Sequence, residues 1–292
     1  MENIDITEKD GGVILSNFDS FDVEQTLECG QCFRFTRLEP KDYEIVAMGR
    51  RLRLTQTDGE IRLFPCSRAE FSEVWADYFD LSRDYAEIKR ALSADDEVMR
   101  RAAEFGGGIR ILNQDRLETL VSFIISQNKQ IPGIKKIISD LSAKYGREIG
   151  GAHAFPSLDA LRALTVEDFA ALRTGFRARY LADAIARAAS GEVRLDYGPE
   201  APAELIRERL TSIKGVGPKV SGCVLLFSFG RRESFPVDVW VRRVVETLYF
   251  GGESKPEAYI ERWAAERFGS LGGYAQQYLF YYARSLRIGG KR

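Results

Sequence analysis

The pattern of hydrophobic and polar residues changes about one third of the way along the chain. Before that point, short segments alternate polar and apolar side chains, as strands with one buried face do. Arg51-Leu52-Arg53-Leu54 and Glu60-Ile61-Arg62-Leu63 alternate in this way, and Asp58-Gly59 between them is a typical hairpin turn. The pattern predicts an antiparallel sheet. Its predicted strands are Gln31–Arg37, Tyr43–Met48, Arg51–Gln56 and Glu60–Phe64.

Helical periodicity first appears at Arg68–Tyr78 and dominates from Asp115 onward, with short loops that carry Gly, Pro or Asn. The predicted helices of this second part are Asp115–Ser126, Pro132–Tyr145, Ser157–Ala163, Val166–Arg173, Arg179–Ser190, Ala203–Ser212, Pro218–Phe229, Val239–Tyr249, Lys255–Phe268 and Gly273–Leu286. We therefore predict an α+β fold. An N-terminal antiparallel sheet domain (residues 1–105) precedes a mostly helical domain (residues 106–292), and the boundary falls at the Gly106-Gly107-Gly108 run.

Composition indicates a soluble globular protein. The 292 residues are 45% hydrophobic and 29% charged, with a net charge of −1. The longest nearly apolar run, Val220–Phe229, is half the length of a membrane span, and the acidic N-terminus does not resemble a secretory signal. A cytoplasmic location without membrane contact is expected.

The four cysteines do not predict a metal or a disulfide scaffold. Cys29 and Cys32 have C-x-x-C spacing, but His153 is the only histidine, so a zinc site lacks ligands. The segment after Cys32 is typical of a strand rather than of the helix that a redox motif requires. No four cysteines lie close enough in sequence to bind an iron–sulfur cluster. We expect no metal and no cofactor.

A helix–hairpin–helix is predicted at about residues 203–229. A helix ends near Ile213, the turn contains Gly215 and Gly217, and Pro218 suits the first position of a second helix. Glycines leave room for a phosphate to approach backbone N–H groups, and the positive end of the helix favours that anion. The segment 204–243 carries eight Lys/Arg against four Asp/Glu, an excess that by itself is more typical of a solvated surface. The hairpin pattern favours contact with the DNA backbone over an ordinary helical turn.

Lys219 and Asp238 are the candidate catalytic pair. Lys219 lies in the first turn of the second helix, where the helix dipole disfavours an ammonium and favours the neutral amine of a nucleophile. Asp238 precedes a helical segment and is a suitable N-cap. The second helix is about 18 Å long, and residues 230–237 can span about 26–29 Å, so the chain can return Asp238 to Lys219. A phosphate-binding lysine and a purely structural cap remain the alternatives.

Together, these features resemble the helix–hairpin–helix base-excision glycosylases, and more closely the 8-oxoguanine DNA glycosylases, from about Val13 to Leu286. Lysine in the hairpin is typical of the members that also act as lyases. The matching segments are Gly30-Gln31-Cys32-Phe33-Arg34, Asn113 to Asn128, Gly175 to Tyr180, Gly215 to Cys223, and Ala275-Gln276 with Leu279-Phe280.

The resemblance implies a bifunctional enzyme. Lys219 would attack the sugar of a flipped 8-oxoguanine in duplex DNA, form a Schiff base and nick the strand by β-elimination, with Asp238 as its carboxylate partner. Base recognition is implied for Gly30, Cys223, Gln276 and Phe280, and DNA contact for Asn128, Phe176, Arg177, Gly215, Gly217 and Trp240. For most of these residues an ordinary core or surface role is the alternative. A monomer is expected, associated with the nucleoid if the source is bacterial or archaeal.

Two positions depart from the eukaryotic members. Trp240 replaces a histidine two residues after the aspartate, and Gly133 replaces an arginine that reads the base opposite the lesion. Arg177 matches a second such arginine, so weaker discrimination of the opposite base is predicted. The alternative functions are a helix–hairpin–helix glycosylase for another damaged base and a DNA-binding module without enzymatic activity.

Overall fold

The computed structural model describes residues 4–288, so residues 1–3 and 289–292 of the two predicted domains lie outside the described part of the chain. Six antiparallel strands form one sheet in the order β1-β2-β6-β5-β4-β3. The strands are β1 Asp5–Lys9, β2 Gly12–Ser16, β3 Phe35–Glu39, β4 Asp42–Ala47, β5 Arg50–Thr57 and β6 Glu60–Phe64. Leu52 and Leu54 are fully buried whereas Arg51 and Arg53 are exposed, so the alternation marks the two faces of the sheet as predicted.

The sheet differs from the prediction at both ends. The strand predicted at Gln31–Arg37 begins only at Phe35. The segment before it lies outside the sheet, where hydrogen bonds of the buried Gln31 side chain hold it. Gln31 Nε2 donates to Thr26 O (2.8 Å) and Arg110 O (2.7 Å), and its Oε1 accepts from Leu112 N (2.9 Å). β1 and β2 were not predicted; β1 has no apolar alternation, since it is polar and exposed at four of its five positions.

Helices make up most of the remaining structure, which confirms the α+β prediction. They are α1 Val23–Glu28, α2 Arg68–Glu70, α3 Ala76–Tyr78, α4 Tyr85–Ser93, α5 Glu97–Phe105, α6 Arg116–Ser126, α7 Ile131–Tyr145, α8 Leu158–Leu161, α9 Val166–Ala171, α10 Arg177–Ser190, α11 Ala203–Thr211, α12 Pro218–Ser228, α13 Val239–Tyr249, α14 Glu257–Phe268 and α15 Gly272–Leu286. A π-helical turn, Phe71–Trp75, joins α2 to α3, and two-residue strands β7 Glu148–Ile149 and β8 Ala152–His153 follow α7. The helices α1, α4 and α5 were not predicted.

Two hydrophobic clusters underlie this architecture. The sheet packs on Phe21, Trp75 and Phe79, and α4 and α5 belong to the helical cluster instead. In the helical part, α12 is buried along most of its length and lies against α6, where the rings of Phe123 and Phe227 stack at 5.6 Å.

The domain boundary after Phe105 stays a prediction. Within residues 4–288, no helix combines the length and the apolarity needed to cross a membrane.

Candidate active site

The turn between α11 and α12 contains two glycines with different surroundings. Gly215 has a φ of +77°, and an added Cβ would lie 2.3 Å from Cδ2 of Tyr180, so both backbone and packing require glycine there. Gly217 is the N-cap of α12 with extended backbone, and an added Cβ would meet nothing within 4 Å. Internal packing does not require the second glycine, and its backbone stands open to an external group.

Lys219 is half-buried in the first turn of α12. Its Nζ lies 5.0 Å from the centroid of the Phe123 ring on α6. One turn further along α12 is the buried Cys223, and burial raises the pKa of the Cys223 thiol to about 11, although the nearby Lys219 charge opposes this rise. Cys223 is therefore a neutral thiol at physiological pH, and it provides an apolar wall beside the amine.

Asp238 begins α13 and caps it. One carboxylate oxygen, Oδ1, accepts hydrogen bonds from Trp240 N (2.9 Å) and Val241 N (2.8 Å). These bonds fix the carboxylate at the N-terminus of α13. Residues 230–237 bring the chain back from the end of α12, so that Asp238 and Lys219 line the same cleft, as the length of this connection allows.

Lys219 and Asp238 line one cleft of about 490 Å³, together with Asn128 and Gly217. The cleft therefore joins the candidate nucleophile, its predicted carboxylate partner, one predicted DNA-contacting residue and the open glycine of the hairpin. Arg242 and Glu257 also line it and were not predicted. An amine and a carboxylate at the same cleft suit attack on a carbon that acquires positive charge.

Gly30 lines a second cleft of about 490 Å³ with Ile131 and Pro132. Its φ is +89°, and an added Cβ would lie 3.1 Å from Cε1 of Phe280, so two of the predicted base-recognition residues are in contact. The turn is fixed from α15, because Gln277 Nε2 donates to Cys29 O (2.9 Å). Sequence reasoning missed Gln277, although it is three residues before Phe280 and therefore on the same side of a helix.

The other two predicted base-recognition residues, Cys223 and Gln276, are buried and line neither cleft. The Oε1 atom of Gln276 is buried and accepts no hydrogen bond from the described residues. An unpaired buried acceptor is unfavourable in a folded protein unless a ligand donates to it. This atom therefore suits recognition of a donor group on a base.

The predicted DNA-contacting side chains differ in their exposure to solvent. Asn128 is exposed in a left-handed turn (φ +48°), and Phe176 is 53% exposed. Trp240 is half-buried, with the Arg243 guanidinium 5.8 Å from the centroid of its ring. Arg177, in contrast, is only 5% exposed, and it donates hydrogen bonds to backbone carbonyls. In this arrangement the guanidinium is bound within the protein, and its contact with the opposite base stays a prediction.

Comparisons with known proteins identify the family. Residues 13–120 match the model of the 8-oxoguanine DNA glycosylase N-terminal domain, and residues 121–269 match the HhH-GPD superfamily of base excision DNA repair proteins. A curated probable N-glycosylase/DNA lyase from Methanothermobacter thermautotrophicus is 30% identical over 70% of this chain and 72% of its own. The N-glycosylase/DNA lyase OGG1 of Arabidopsis thaliana is 27% identical over 87% of this chain and 75% of its own.

Solved structures agree with these matches. The crystal structure of the 8-oxoguanine glycosylase/lyase of Clostridium acetobutylicum, in complex with double-stranded DNA containing cytosine opposite 8-oxoguanine, is 41% identical. The similarity covers 99% of this chain and 100% of that chain, with a TM-score of 0.94. Family models, curated relatives and this structure all agree with the resemblance seen in the sequence. The chain belongs to the 8-oxoguanine DNA glycosylase family, within the helix–hairpin–helix superfamily of base excision repair proteins.

Proposed function

We propose that this protein is a DNA glycosylase and lyase that removes 8-oxoguanine from duplex DNA and then nicks the strand. The observation that carries the proposal is the single cleft that holds Lys219, Asp238 and the open Gly217 of the hairpin. Family membership supports the substrate, because the related clostridial enzyme was crystallised on DNA containing this lesion.

The chemistry begins when Nζ of Lys219 attacks C1′ of the damaged nucleotide. The bond from C1′ to the base breaks, and its electron pair leaves with the base, which takes up a proton. Opening of the sugar ring then gives a Schiff base between Nζ and C1′. Loss of a C2′ proton expels the 3′ phosphate, and hydrolysis of the Schiff base frees the lysine.

Asp238 supplies a fixed negative charge during these reaction steps. Two backbone N–H groups donate hydrogen bonds to the carboxylate and hold it in one orientation. The carboxylate therefore needs no reorganisation as positive charge develops on the sugar. The chain offers Gly30 and Phe280 at one side of the base site and the unpaired Oε1 of Gln276 as an acceptor for the base. Phe176 and Asn128 are exposed for insertion into the duplex.

Base release from a panel of duplexes tests the proposal. Single-turnover excision is measured with 8-oxoguanine, an oxidised pyrimidine, adenine opposite 8-oxoguanine, and an alkylated purine. We expect excision of 8-oxoguanine and formation of a covalent complex when borohydride is added. Preference for another base would indicate a different glycosylase. Salt-sensitive binding without release of any base would indicate a DNA-binding module.

We further propose that the protein acts as a monomer at the nucleoid of a bacterial or archaeal cell. The residues assigned to catalysis, base recognition and DNA contact all come from one chain, so a second copy is not needed to complete the site. Light scattering after size-exclusion chromatography, with and without a lesion duplex, should give a mass near 33.0 kDa for the free protein. A stable dimer in both samples would contradict the proposal.

A further inference from the structure

Arg242 lies near the start of α13 and lines the same cleft as Lys219 and Asp238. It follows Asp238 by four residues, so the two side chains lie on the same side of the chain as it enters the helix. The Arg242 side chain is 44% exposed. The chemistry proposed for Lys219 and Asp238 does not use this guanidinium, although a DNA strand that enters the cleft must pass it.

Two acceptors hold one edge of the Arg242 guanidinium. Its Nε donates to Glu246 Oε1 (2.9 Å), and its Nη2 donates to Ser254 Oγ (2.8 Å). The same Glu246 oxygen accepts from Ser254 Oγ (3.1 Å) and from Lys255 N (2.9 Å). Desolvation raises the pKa of the Glu246 carboxyl, but the hydrogen bonds from Arg242 and Lys255 N outweigh it and hold this pKa below its ordinary value. The group that anchors the guanidinium is therefore a carboxylate.

The other edge of the guanidinium remains open. Nη1 binds no acceptor within residues 4–288. Arginine has five N–H groups, and two of them are used by Glu246 and Ser254. Phosphate oxygens match the remaining donors in both charge and geometry. A guanidinium that is fixed in direction and still has donors is suited to binding an anion.

The charges in the cleft indicate which anion this is. Among the residues that the structure describes, the charged side chains lining the cleft are Lys219, Asp238, Arg242 and Glu257. Lys219 attacks through its lone pair and carries no charge at that moment. Arg242 then offsets two carboxylates, while the DNA strand brings one further negative charge per phosphate. Without Arg242 the cleft would repel the strand that it must admit.

We propose that Arg242 binds a phosphate that flanks the damaged nucleotide, and that Glu246 is a positioning residue that directs the guanidinium. This inference rests on the proposed function, because the phosphate belongs to the strand that Lys219 attacks. A cleft of about 490 Å³ is in the range that encloses a ligand the size of a nucleotide. The contact holds the sugar beside Nζ, so both affinity and the rate of excision depend on it.

Duplexes in which one phosphate is replaced by an uncharged methylphosphonate test this contact. Each phosphate beside an 8-oxoguanine is replaced in turn, and affinity, its salt dependence and single-turnover excision are measured. The proteins are the unchanged chain, Arg242→Gln, Arg242→Lys and Glu246→Gln. Arg262→Gln is the matched control, because it removes an exposed arginine of α14 that does not line the cleft.

We expect Arg242→Gln to weaken binding of the unmodified duplex by about tenfold or more, since a hydrogen-bonded contact between two charged groups is lost. The slope of log affinity against log salt should fall by about one phosphate contact. With the methylphosphonate at one flanking position, Arg242→Gln and the unchanged protein should agree within about threefold, because the contact is already absent. Glu246→Gln should show a smaller loss that disappears at the same position. Arg262→Gln should behave as the unchanged protein does.

A loss caused by Arg242→Gln that is the same at every methylphosphonate position would overturn the inference, because the residue would then act only within the fold. If Arg242→Gln unfolds, Arg242→Lys decides, since lysine keeps the charge but cannot bind Glu246, Ser254 and a phosphate at once. Its salt slope should match that of the unchanged protein with lower affinity, and a reduced slope would contradict the proposal. Binding does not require excision, so failure of the unchanged protein to release 8-oxoguanine would contradict the proposed function separately.

Discussion

Replacing Gly215 with alanine tests whether the hairpin turn is fixed from within the fold. Two costs can be worked out from the structure. A φ of +77° places alanine in the left-handed region, at about 1–2 kcal/mol. The new Cβ would also lie 2.3 Å from the Tyr180 ring, and such overpacking costs roughly 1–3 kcal/mol. The free energy of unfolding should therefore fall by roughly 2–5 kcal/mol, and Tm by roughly 5–15 °C.

Gly217→Ala is the matched control two residues away. The φ of −97° suits alanine and the added Cβ meets nothing, so the stability change should stay within about 1 kcal/mol, the worth of a weaker N-cap. Binding to a lesion duplex should weaken roughly two- to tenfold, because the methyl group crowds a backbone N–H that is worth about 0.5–1.5 kcal/mol as a phosphate donor.

Thermal unfolding and fluorescence anisotropy with a lesion duplex measure the two effects separately. Gly215→Ala should lower Tm with a secondary loss of binding, and Gly217→Ala should lower binding with little change of Tm. An unchanged Tm for Gly215→Ala, or equal destabilisation by both variants, would refute the reasoning about the two glycines.

Three further predictions concern charge and specificity. Asp238→Asn keeps the cap but removes the charge, so single-turnover excision should fall strongly while stability changes by at most about 1 kcal/mol; normal excision would limit Asp238 to a cap. Excision of 8-oxoguanine opposite C, A, G and T should vary within about tenfold, and Gly133→Arg should restore part of a preference for C. An added Cβ at Gly133 meets only the flexible Lys129 side chain, at 3.3 Å, so the backbone there admits a side chain; a thousandfold preference of the unchanged protein for C would contradict this prediction. Burial raises the pKa of Glu118 from 4.5 to about 7, although Arg34 at 3.6 Å opposes the rise. Folding therefore favours the protonated carboxyl, and the contribution to stability is lost as pH rises from 4.5 through 7. Relative to the unchanged protein, Glu118→Gln should gain on the order of 3 kcal/mol between pH 4.5 and pH 8 in denaturant titrations; a pH-independent difference would contradict the assignment.

Sequence reasoning predicted the elements whose pattern repeats over several residues. Val239–Tyr249 and Glu60–Phe64 have the predicted bounds, because their apolar positions follow one period throughout. β1 lacks such a signal, as its positions are mostly exposed. α4 is nine residues long, and its clearest sign was the capping aspartate Asp84, which accepts from Glu87 N at 2.9 Å.

The candidate site was predictable to the extent that residue chemistry determines it. An amine and a carboxylate in one segment pointed to Lys219 and Asp238, and the distance covered by a short connection indicated that they meet. Arg177 shows the opposite case. Its partners are main-chain carbonyls, and carbonyls have no sequence signature, so these internal hydrogen bonds could not be predicted, and its contact with the opposite base stays a prediction. Gln277 escaped notice for the same reason, since it binds the carbonyl of Cys29.

Identification of the residue that becomes attached to DNA tests the central claim most directly. Borohydride is added during reaction with an 8-oxoguanine duplex, the covalent complex is digested, and the modified peptide is sequenced by mass spectrometry. The account predicts modification of Lys219, and no complex from Lys219→Gln. Lys214→Gln, which removes the exposed lysine of the same hairpin, should still form the complex. Attachment at Lys214 or another amine, or undiminished trapping by Lys219→Gln, would contradict the account.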